Sequence, residues 1–274
     1  MNVLLEETRT RIEELLGSEL DTLTVERAVF GLFFSGVKLS SGYGGLCFTP
    51  VKELPEAVCC PSSARTMPLS GQLRGRSVRK YLDDLSSDSI LKKTLAIATV
   101  NALSACIWER KLYSGYKIST GCDAFDSAVI PEGGKSVVVG ALVPMLRKLL
   151  KANADFRVLE MDSRTLKGME LEHFAPSGDY PKYFPSSDLD VITGVTILND
   201  TLPGLLEKAK EGAQIIVTGP TASMIPDAFF SRGVTVMGGI VVTDADRVLD
   251  IIAEGGSGYH FFGKGAERLV IEKC

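Results

Sequence analysis

The pattern of hydrophobic and polar positions differs between the two halves of the chain. At the N-terminus, residues 2–17 have apolar positions at helical spacing, which predicts an amphipathic helix. Over residues 22–51, short apolar runs alternate with glycines and with a Ser/Gly-rich loop at 40–45. This spacing is typical of a small antiparallel β-meander, in which Gly31 and Gly36 act as bends or bulges.

A long apolar helix is predicted over residues 89–111. From 95 to 108 its positions are hydrophobic nearly all round, which indicates burial on both sides. Asn101 interrupts this surface. Because a buried amide needs hydrogen-bond partners, Asn101 either holds a neighbouring loop in place or faces a ligand.

Strands and helices alternate in the second half of the chain. Residues 135–160 are typical of one βαβ unit, with a buried strand over 136–139, a helix that begins near Pro144 and a second strand over 156–159. Further apolar runs that end at small-residue turns or lead into a helix cover 189–193, 214–217, 234–237 and 240–243. Such alternation predicts a parallel sheet covered by helices.

Small and polar residues follow the predicted strands at positions that converge on one edge of the sheet. Glycine in such a turn lets a ligand approach the backbone, and each following helix directs its positive N-terminal end at the same edge. We therefore expect a ligand-binding edge formed by Gly140, Glu160, Thr193, Asn199, Thr201, Gly219, Pro220, Gly238, Gly239 and Asp244.

The first βα turn lacks the glycines of a dinucleotide site. Such a site places G-x-G-x-x-G after the first strand and an acidic residue about 20 positions later. Glu160 lies at that distance from Gly140, but the turn itself reads Gly-Ala-Leu-Val-Pro. The pattern favours the doubly wound fold, and NAD or NADP is not expected.

Length, charge and cysteine usage limit the classes of fold and partner. A chain of 274 residues exceeds the usual size of one domain, so we predict an α+β domain over 1–112 and a doubly wound α/β domain over 113–274. The net charge of −4 argues against a nucleic-acid partner, and the chain lacks the apolar run of roughly 18 residues that a membrane span needs. The six cysteines form no Cys-x-x-Cys pair, which favours reduced thiols and a cytoplasmic location.

Cationic residues in the first half offer a way to complete the site. Lys38 lies beside a Ser/Gly loop whose backbone N–H groups can converge on an anion, and residues 57–82 contain five basic residues and no acid. Solvated surface cations are the alternative. In a cleft between the domains we expect an anion to meet Lys38, Ser40, Ser41, Gly42, Arg65 and Asn101.

Catalytic signatures are few. His173 lies in a long polar insertion at 162–188, which suggests a lid or an interface, and aromatic neighbours indicate a packing role for His260. The common zinc, serine-hydrolase and Walker NTPase motifs are absent from the sequence. We therefore assign no catalytic or metal-binding residue.

Several motifs resemble those of the family named putative heavy-metal chelation. Residues 193–201, TGVTILNDT, resemble its T-G-x-T-x-x-N-x-T signature, and 218–222 (TGPTA) and 233–244 resemble the family as well. The first half, including 98–102 (ATVNA), resembles the small enolase-N-terminal-like domain of the same family. The resemblance covers nearly the whole chain. It implies a Rossmann-like C-terminal domain, a smaller enolase-N-terminal-like domain before it, and a site shared between them.

The metal that this family name implies has few candidate ligands in the sequence. Soft heavy metals prefer thiolate or imidazole, and Cys59, Cys60, Cys122 and His173 are scattered along the chain. Carboxylates or a bound organic chelate are the other ways to hold a divalent or heavy metal. Two hypotheses remain open: a protein that binds a metal, a metal chelate or a small anion, and an enzyme acting on a small anionic metabolite with or without a nucleotide. Homo-oligomer formation is left open as well.

Overall fold

The computed structural model describes residues 2–54, 66–67 and 69–274. The elements of the first half are α1 (Val3–Leu16), β1 (Val25–Phe30), β2 (Phe34–Leu39), β3 (Gly44–Phe48), α2 (Val78–Asp83) and α3 (Ile90–Glu109). The three strands form an antiparallel sheet in the order β1-β2-β3. This confirms the predicted meander between an N-terminal helix and a long apolar helix.

The second half alternates strands and helices as the sequence predicts. Its strands are β4 (Tyr116–Thr120), β5 (Lys135–Val139), β6 (Asp155–Glu160), β7 (Phe174–Pro176), β8 (Leu189–Thr193), β9 (Gln214–Thr218), β10 (Val236–Val242) and β11 (Ala266–Lys273). Its helices are α4 (Val143–Lys151), α5 (Tyr180–Tyr183), α6 (Val195–Leu198), α7 (Leu202–Lys208), α8 (Asp227–Phe230), α9 (Ala245–Ala253) and α10 (Gly258–Phe261).

The eight strands of the second half form one sheet in the order β4-β11-β10-β9-β8-β5-β6-β7. The six strands from β5 to β10 are parallel, and their spatial order is the 3-2-1-4-5-6 arrangement of doubly wound sheets. β11 and β4 extend one edge with antiparallel pairing. The predicted α/β class is therefore confirmed, with a mixed sheet.

Both faces of this large sheet are buried, by different parts of the chain. On one face, Val139 and Ile192 join a core that is continuous with the residues around α3. On the other face, Val138 and Val191 pack with α4 and with residues 124–128. Because the first core runs without a break from the N-terminal elements into the sheet, the domain division at 112 stays a prediction.

α3 is the central helix of the N-terminal half. It packs against β2 and β3 and also meets α6 and the turn after β9. Among the described residues it is the one helix long and apolar enough to span a membrane, yet 89% of its apolar window is buried inside the fold. Its apolar surface is explained by this burial.

One strand differs from the sequence prediction near the expected site. The runs 234–237 and 240–243 were expected to be separated by a turn, but β10 continues through both. β11 pairs with β10 along its whole length, so the ladder is not interrupted at Gly238 and Gly239. These two glycines therefore lie inside a strand, beside the carboxyl end of β9, and not after a strand.

The two glycines of the meander have different roles. Gly31 lies at the bend between β1 and β2, as expected. Gly36 is not a bulge, because it pairs in regular register with Val29 and Leu46. A Cβ on Gly36 would lie 2.8 Å from Leu249 Cδ2, so this glycine allows α9 to pack closely on β2.

The polar insertion at 162–188 belongs to the sheet. It supplies β7, whose three residues pair in parallel with β6 and give the third strand of the doubly wound order. This strand was not predicted from the sequence, because its three residues are too few to show a strand pattern. His173 lies just before it and stacks on Phe156 with ring centroids 3.8 Å apart, so its role is packing.

Candidate functional site

A cavity of about 270 Å³ lies at the carboxyl end of β9, beside the middle of β10. Its wall also includes residues 122–125, the start of α4, α10 with Phe262, and Arg268 of β11. Residues 124, 125 and 142 of this wall belong to the core around α4, and Phe262 belongs to a separate core around α9. Ligands of open α/β sheets bind outside the carboxyl ends of the strands, and this cavity has that position.

The carboxyl end of β9 is shaped by Gly219. Its φ of 127° lies in a region that side chains rarely adopt, and it turns the chain from β9 into the turn that begins at Pro220. The Gly219 N–H donates to the carbonyl oxygen of Gly238 at 3.0 Å. The turn is thereby fixed against β10, and both residues lie in the cavity wall.

Gly238 and Gly239 allow close approach on the two faces of β10. A Cβ on Gly238 would lie 2.4 Å from Ala124 Cβ and 2.5 Å from Thr218 Oγ1. A Cβ on Gly239 would lie 2.6 Å from Ser223 Oγ, on the opposite side of the strand. The pair therefore lets segments from both faces pack against one strand, which explains why the sequence has two glycines inside it.

The charged groups of the cavity wall are Arg268 and Asp123. The Nε of Arg268 lies 3.2 Å from Asp123 Oδ2, and its Cζ lies 4.4 Å from the centre of the Phe262 ring. Asp123 Oδ1 accepts a hydrogen bond from the N–H of Phe125 at 3.1 Å. Asp123 and Phe262 together position the guanidinium, while its two terminal nitrogens have no hydrogen-bond partner among the described residues.

The rest of the wall is mainly apolar. Phe125, Leu142, Ile240 and Phe262 contribute hydrophobic surface, and Tyr259 contributes an aromatic ring. Tyr259 is 94% exposed, so it lies at the opening of the cavity. A concave apolar wall with few polar groups is typical of sites for small organic ligands.

Cys122 adds a thiol to the same wall. It is exposed, and its Sγ lies 3.7 Å from the carbonyl oxygen of Thr120. The described residues of the wall include neither histidine nor lysine, so Cys122 has no such base beside it among them. A thiol in this setting is a candidate contact to a ligand and lacks the partner that would activate it as a nucleophile.

Sequence reasoning missed Asp123, Tyr259 and Arg268 as site residues. Arg268 lies on an antiparallel strand added to the edge of the parallel sheet, and it pairs with Ile240 of β10. Only that pairing brings the C-terminal strand to the carboxyl edge of β9. The residues of β11, AERLVIEK, give no sign of which strand lies beside them.

Of the residues expected at the ligand edge, Gly219, Pro220, Gly238 and Gly239 line the cavity. Gly140 and Thr193 are brought together at a second place, where β5 and β8 are neighbours and the order of the sheet reverses. A Cβ on Gly140 would lie 3.0 Å from Thr193 Cγ2. Neither residue is part of the cavity wall.

The carboxylate of Glu160 binds the first βα turn, where a dinucleotide would bind in a dinucleotide fold. Its Oε2 accepts a hydrogen bond from the N–H of Ala141 at 3.0 Å, and its Oε1 accepts one from the N–H of Met161 at 2.7 Å. In a dinucleotide fold, the N–H groups of this first βα turn face the pyrophosphate. Here a carboxylate of the protein already occupies one of them.

The other residues expected beyond the strand ends form local hydrogen bonds. Asn199 Oδ1 accepts from the hydroxyl of Thr201 at 2.7 Å, and Asp200 between them pairs with the buried ammonium of Lys93 on α3. Asp244 caps α9 by accepting from the N–H of Arg247 at 3.0 Å. None of the predicted residues Asn199, Thr201 and Asp244 lies in the cavity wall.

Asn101 links the N-terminal half to the cavity from behind. Its Nδ2 donates to the carbonyl oxygens of Leu46, Pro220 and Thr221 at 2.7, 3.2 and 3.1 Å. It therefore holds a loop in place, which is one of the two roles that the sequence left open. The N–H of Phe48 donates to Thr221 Oγ1 at 3.0 Å and reinforces the same connection.

The first-half residues expected at an anion site form contacts of their own. Lys38 Nζ lies 2.7 Å from Asp246 Oδ2, and this hydrogen bond raises the pKa of Lys38. Ser40 Oγ accepts from the N–H of Thr24, and Ser40, Ser41 and Gly42 form the turn between β2 and β3. None of these residues is in the cavity wall, and Arg65 lies outside the described residues.

The described residues do not form a metal site. Among them, no group of three or more His, Cys, Asp or Glu side chains is arranged to hold a metal ion. In the cavity wall, Cys122 and Asp123 are two such groups, and Asp123 is already paired with Arg268. His173 is stacked on Phe156, and Cys59 and Cys60 lie outside the described residues. The donor set that the structure describes does not fit a bare heavy-metal ion.

Comparisons with known proteins agree with the resemblance in the sequence. Residues 123–271 match a family model described as "Putative heavy-metal chelation", and residues 13–104 match a second model with the same description. An uncharacterized protein of Methanocaldococcus jannaschii is 26% identical over 269 residues, which are 97% of this chain and 96% of that protein.

Two solved structures of the same family share the fold. The protein of unknown function from Pyrococcus horikoshii has a TM-score of 0.77 at 21% identity and covers 98% of this chain and 100% of its own. The protein of unknown function from Desulfitobacterium hafniense has a TM-score of 0.70 at 21% identity, with coverages of 96% and 99%. Since the first family model spans more than half of the sequence, the chain belongs to the family described as "Putative heavy-metal chelation".

Proposed function

We propose that this protein binds a small organic anion in the cavity beside Arg268, and that it takes up a heavy metal only as the cargo of such a ligand. The observation that carries the proposal is the guanidinium of Arg268. It is held on the cavity wall by Asp123 and Phe262, and its terminal nitrogens have no partner among the described residues. A guanidinium offers parallel N–H donors that match a carboxylate.

The position of the cavity supports a binding role. It lies at the carboxyl edge of the sheet, beside β9 and not at the reversal point between β5 and β8, and its wall combines apolar side chains with few polar groups. Four residues of the predicted ligand edge line the cavity: Gly219, Pro220, Gly238 and Gly239. The site proposed here is built from the second half of the chain, with Asn101 supporting it from the first.

A ligand that already holds a metal would explain how a protein of a family described as heavy-metal chelation can have this site. A bare soft metal ion needs several thiolate or imidazole donors, and the described residues do not supply them. A metal that is already held by an organic chelator presents the outer surface of the chelator, which an arginine and apolar walls can recognise. The protein would then bind the chelate and not the ion.

Binding is favoured over catalysis as the primary role. The candidate nucleophile of the wall is Cys122, and the described residues of the wall include no histidine or lysine to activate it. Asp123, the one carboxylate of the wall, is paired with Arg268. This arrangement is suited to recognition of an anion and lacks the pair of groups that general acid–base chemistry needs.

Isothermal titration calorimetry tests this function. The purified full chain is titrated with sodium acetate, citrate and benzoate, with zinc(II) and copper(II) chloride alone, and with copper(II) in excess citrate. We expect at least one carboxylate to bind and the free metal ions to give no stoichiometric binding. Arg268→Gln should weaken the anion about tenfold or more, since a charge-assisted contact contributes roughly 1.5–3 kcal/mol.

Lys38→Gln is the matched control, because it removes one positive charge from a residue that pairs with Asp246 outside the cavity. It should leave the affinity unchanged. Stoichiometric binding of zinc or copper without any response to the carboxylates would overturn the proposal. So would an anion affinity that Arg268→Gln leaves unaltered.

A further inference from the structure

We infer that the ligand of this cavity is a planar aromatic monocarboxylate, whose ring packs against Tyr259 and whose carboxylate binds Arg268. This inference rests on the proposed function and specifies the chemical class of the ligand. Four features of the cavity support it: an exposed tyrosine on an anchored helix, an arginine whose terminal donors have no partner among the described residues, a balance of one positive and one negative charge, and a small volume.

Tyr259 is presented to solvent by a helix that is fixed in the fold. Its neighbour Phe261 is fully buried and meets Phe34 edge-on with ring centroids 5.6 Å apart. At the start of the same helix, His260 Nδ1 accepts a hydrogen bond from the N–H of Ser257 at 3.0 Å. An aromatic ring that is 94% exposed, on a helix anchored in this way, offers its face to a partner.

The apolar wall inside the cavity suits a ring as well. Phe125, Leu142 and Phe262 line it, and the guanidinium of Arg268 lies over Phe262. The Nε of this guanidinium faces Asp123, and its two terminal nitrogens have no hydrogen-bond partner among the described residues. A ligand that places a flat ring among the aromatic walls can therefore direct a carboxylate at these nitrogens, with two parallel hydrogen bonds.

The charges of the wall favour a ligand that carries a single negative charge. Arg268 supplies one positive charge and Asp123 one negative charge, so the wall is neutral before a ligand binds. One added carboxylate leaves a single excess negative charge. A phosphate or a dicarboxylate would leave more negative charge beside Asp123, with the same single guanidinium to stabilise it. The cavity thus favours a monoanion.

The volume selects the size of the ligand. Sites for drug-sized ligands usually measure about 300–1,000 Å³. The cavity here measures about 270 Å³, below that range. It therefore suits a single ring with its carboxylate, and a nucleotide would exceed it.

Calorimetry with four probes tests the inference: benzoate, cyclohexanecarboxylate, acetate and inorganic phosphate. Benzoate and cyclohexanecarboxylate carry the same charge on rings of the same number of atoms, and they differ in planarity and aromatic character. We expect benzoate to bind about threefold to tenfold more tightly than cyclohexanecarboxylate, and phosphate not to compete with it.

Substitutions of Tyr259 test whether its ring causes the preference for benzoate over cyclohexanecarboxylate. Tyr259→Ala should abolish the preference for benzoate, and Tyr259→Phe should restore it because the ring is kept. Equal affinities for the two ring acids, both lost in Arg268→Gln, would overturn the aromatic inference and leave the proposed function intact. Absence of benzoate binding, or a Tyr259→Ala variant with unchanged preference, would overturn the inference too; acetate and citrate then decide on the proposed function itself.

Discussion

The side-chain nitrogen of Asn101 lies 3.1 Å from the carbonyl oxygen of Thr221 and so joins α3 to the turn that follows β9. The same nitrogen donates to Leu46 of β3 and to Pro220. One buried amide therefore connects the N-terminal sheet, the central helix and the back of the cavity wall. The Oδ1 of Asn101 has no hydrogen-bond partner among the described residues, so its position is determined by the donor side alone.

Replacing Asn101 should destabilise the protein through the carbonyls that it leaves unpaired. We expect Asn101→Ala to lower the free energy of unfolding by roughly 1–3 kcal/mol in urea titrations. Asn101→Asp should be worse, because a carboxylate would face the same carbonyl oxygens without an N–H to donate. A loss below about 0.5 kcal/mol for Asn101→Ala would show that the connection has little energetic weight.

Gly238 should tolerate no side chain, because β10 is packed closely on this face. The Cβ of Gly238→Ala would meet Ala124 and the Thr218 hydroxyl at 2.4 and 2.5 Å. We expect a loss of roughly 1–3 kcal/mol in urea titrations, as is typical of overpacking. Gly178→Ala is the matched control, since a Cβ there has no neighbour within 4 Å, and it should change stability little. Equal effects of the two substitutions would contradict this explanation.

Much of the fold could be predicted from local patterns. The βαβ unit at 135–160 has a buried apolar run, a proline at the helix start and a second apolar run, and all three features have local physical causes. β7 and the continuity of β10 could not be predicted. The three residues of β7 are too few to show a period, and two glycines usually end a strand, whereas here packing on both faces requires them.

The candidate site was harder to predict than the fold. Glycines at strand ends pointed to Gly219 and Pro220, which do line the candidate cavity, because the turn after a parallel strand lies at the carboxyl edge of the sheet. Arg268 and Tyr259 reach the cavity through the pairing of β11 and the placement of α10. Both are tertiary relationships, and the spacing of residues along the chain does not contain them.

Asp190 should make stability depend on pH. It is fully buried in β8, and neither carboxyl oxygen has a hydrogen-bond partner among the described residues. Burial raises the pKa of Asp190 to about 7 from an ordinary value near 3.8. Between these values the unfolded chain has released its proton and the folded chain still holds it. The contribution of protonated Asp190 to the free energy of unfolding is therefore complete below about pH 4. It decreases as the pH rises and is lost at about pH 7.

Urea titrations between pH 5 and 8 measure this effect. We expect the contribution of Asp190 to lower the free energy of unfolding by up to about 1.4 kcal/mol per pH unit below its folded pKa. Asp190→Asn should remove that slope. Asp246→Asn is the control, because hydrogen bonding to Lys38 lowers the pKa of Asp246, and its titration falls below this window. An unchanged slope in Asp190→Asn would show that Asp190 is not the group responsible.

Because the Glu160 carboxylate binds the first βα turn, we expect that dinucleotides do not bind. It occupies the N–H of Ala141 in the first βα turn, and the turn lacks the glycines that let a pyrophosphate approach. Differential scanning fluorimetry with millimolar NAD, NADH, NADP and NADPH should give no shift in Tm. A shift that saturates with NAD or NADP would contradict this account of the turn.

The location of the ligand is tested most directly by a crystal structure of the wild-type protein with 4-bromobenzoate, in which the bromine is found by its anomalous scattering. Our account predicts one bromine peak in the cavity, with the ring against Tyr259 and the carboxylate oxygens within hydrogen-bond distance of the terminal nitrogens of Arg268. A peak beside Gly140 and Thr193 at the reversal point of the sheet, or no peak at saturating 4-bromobenzoate, would contradict it.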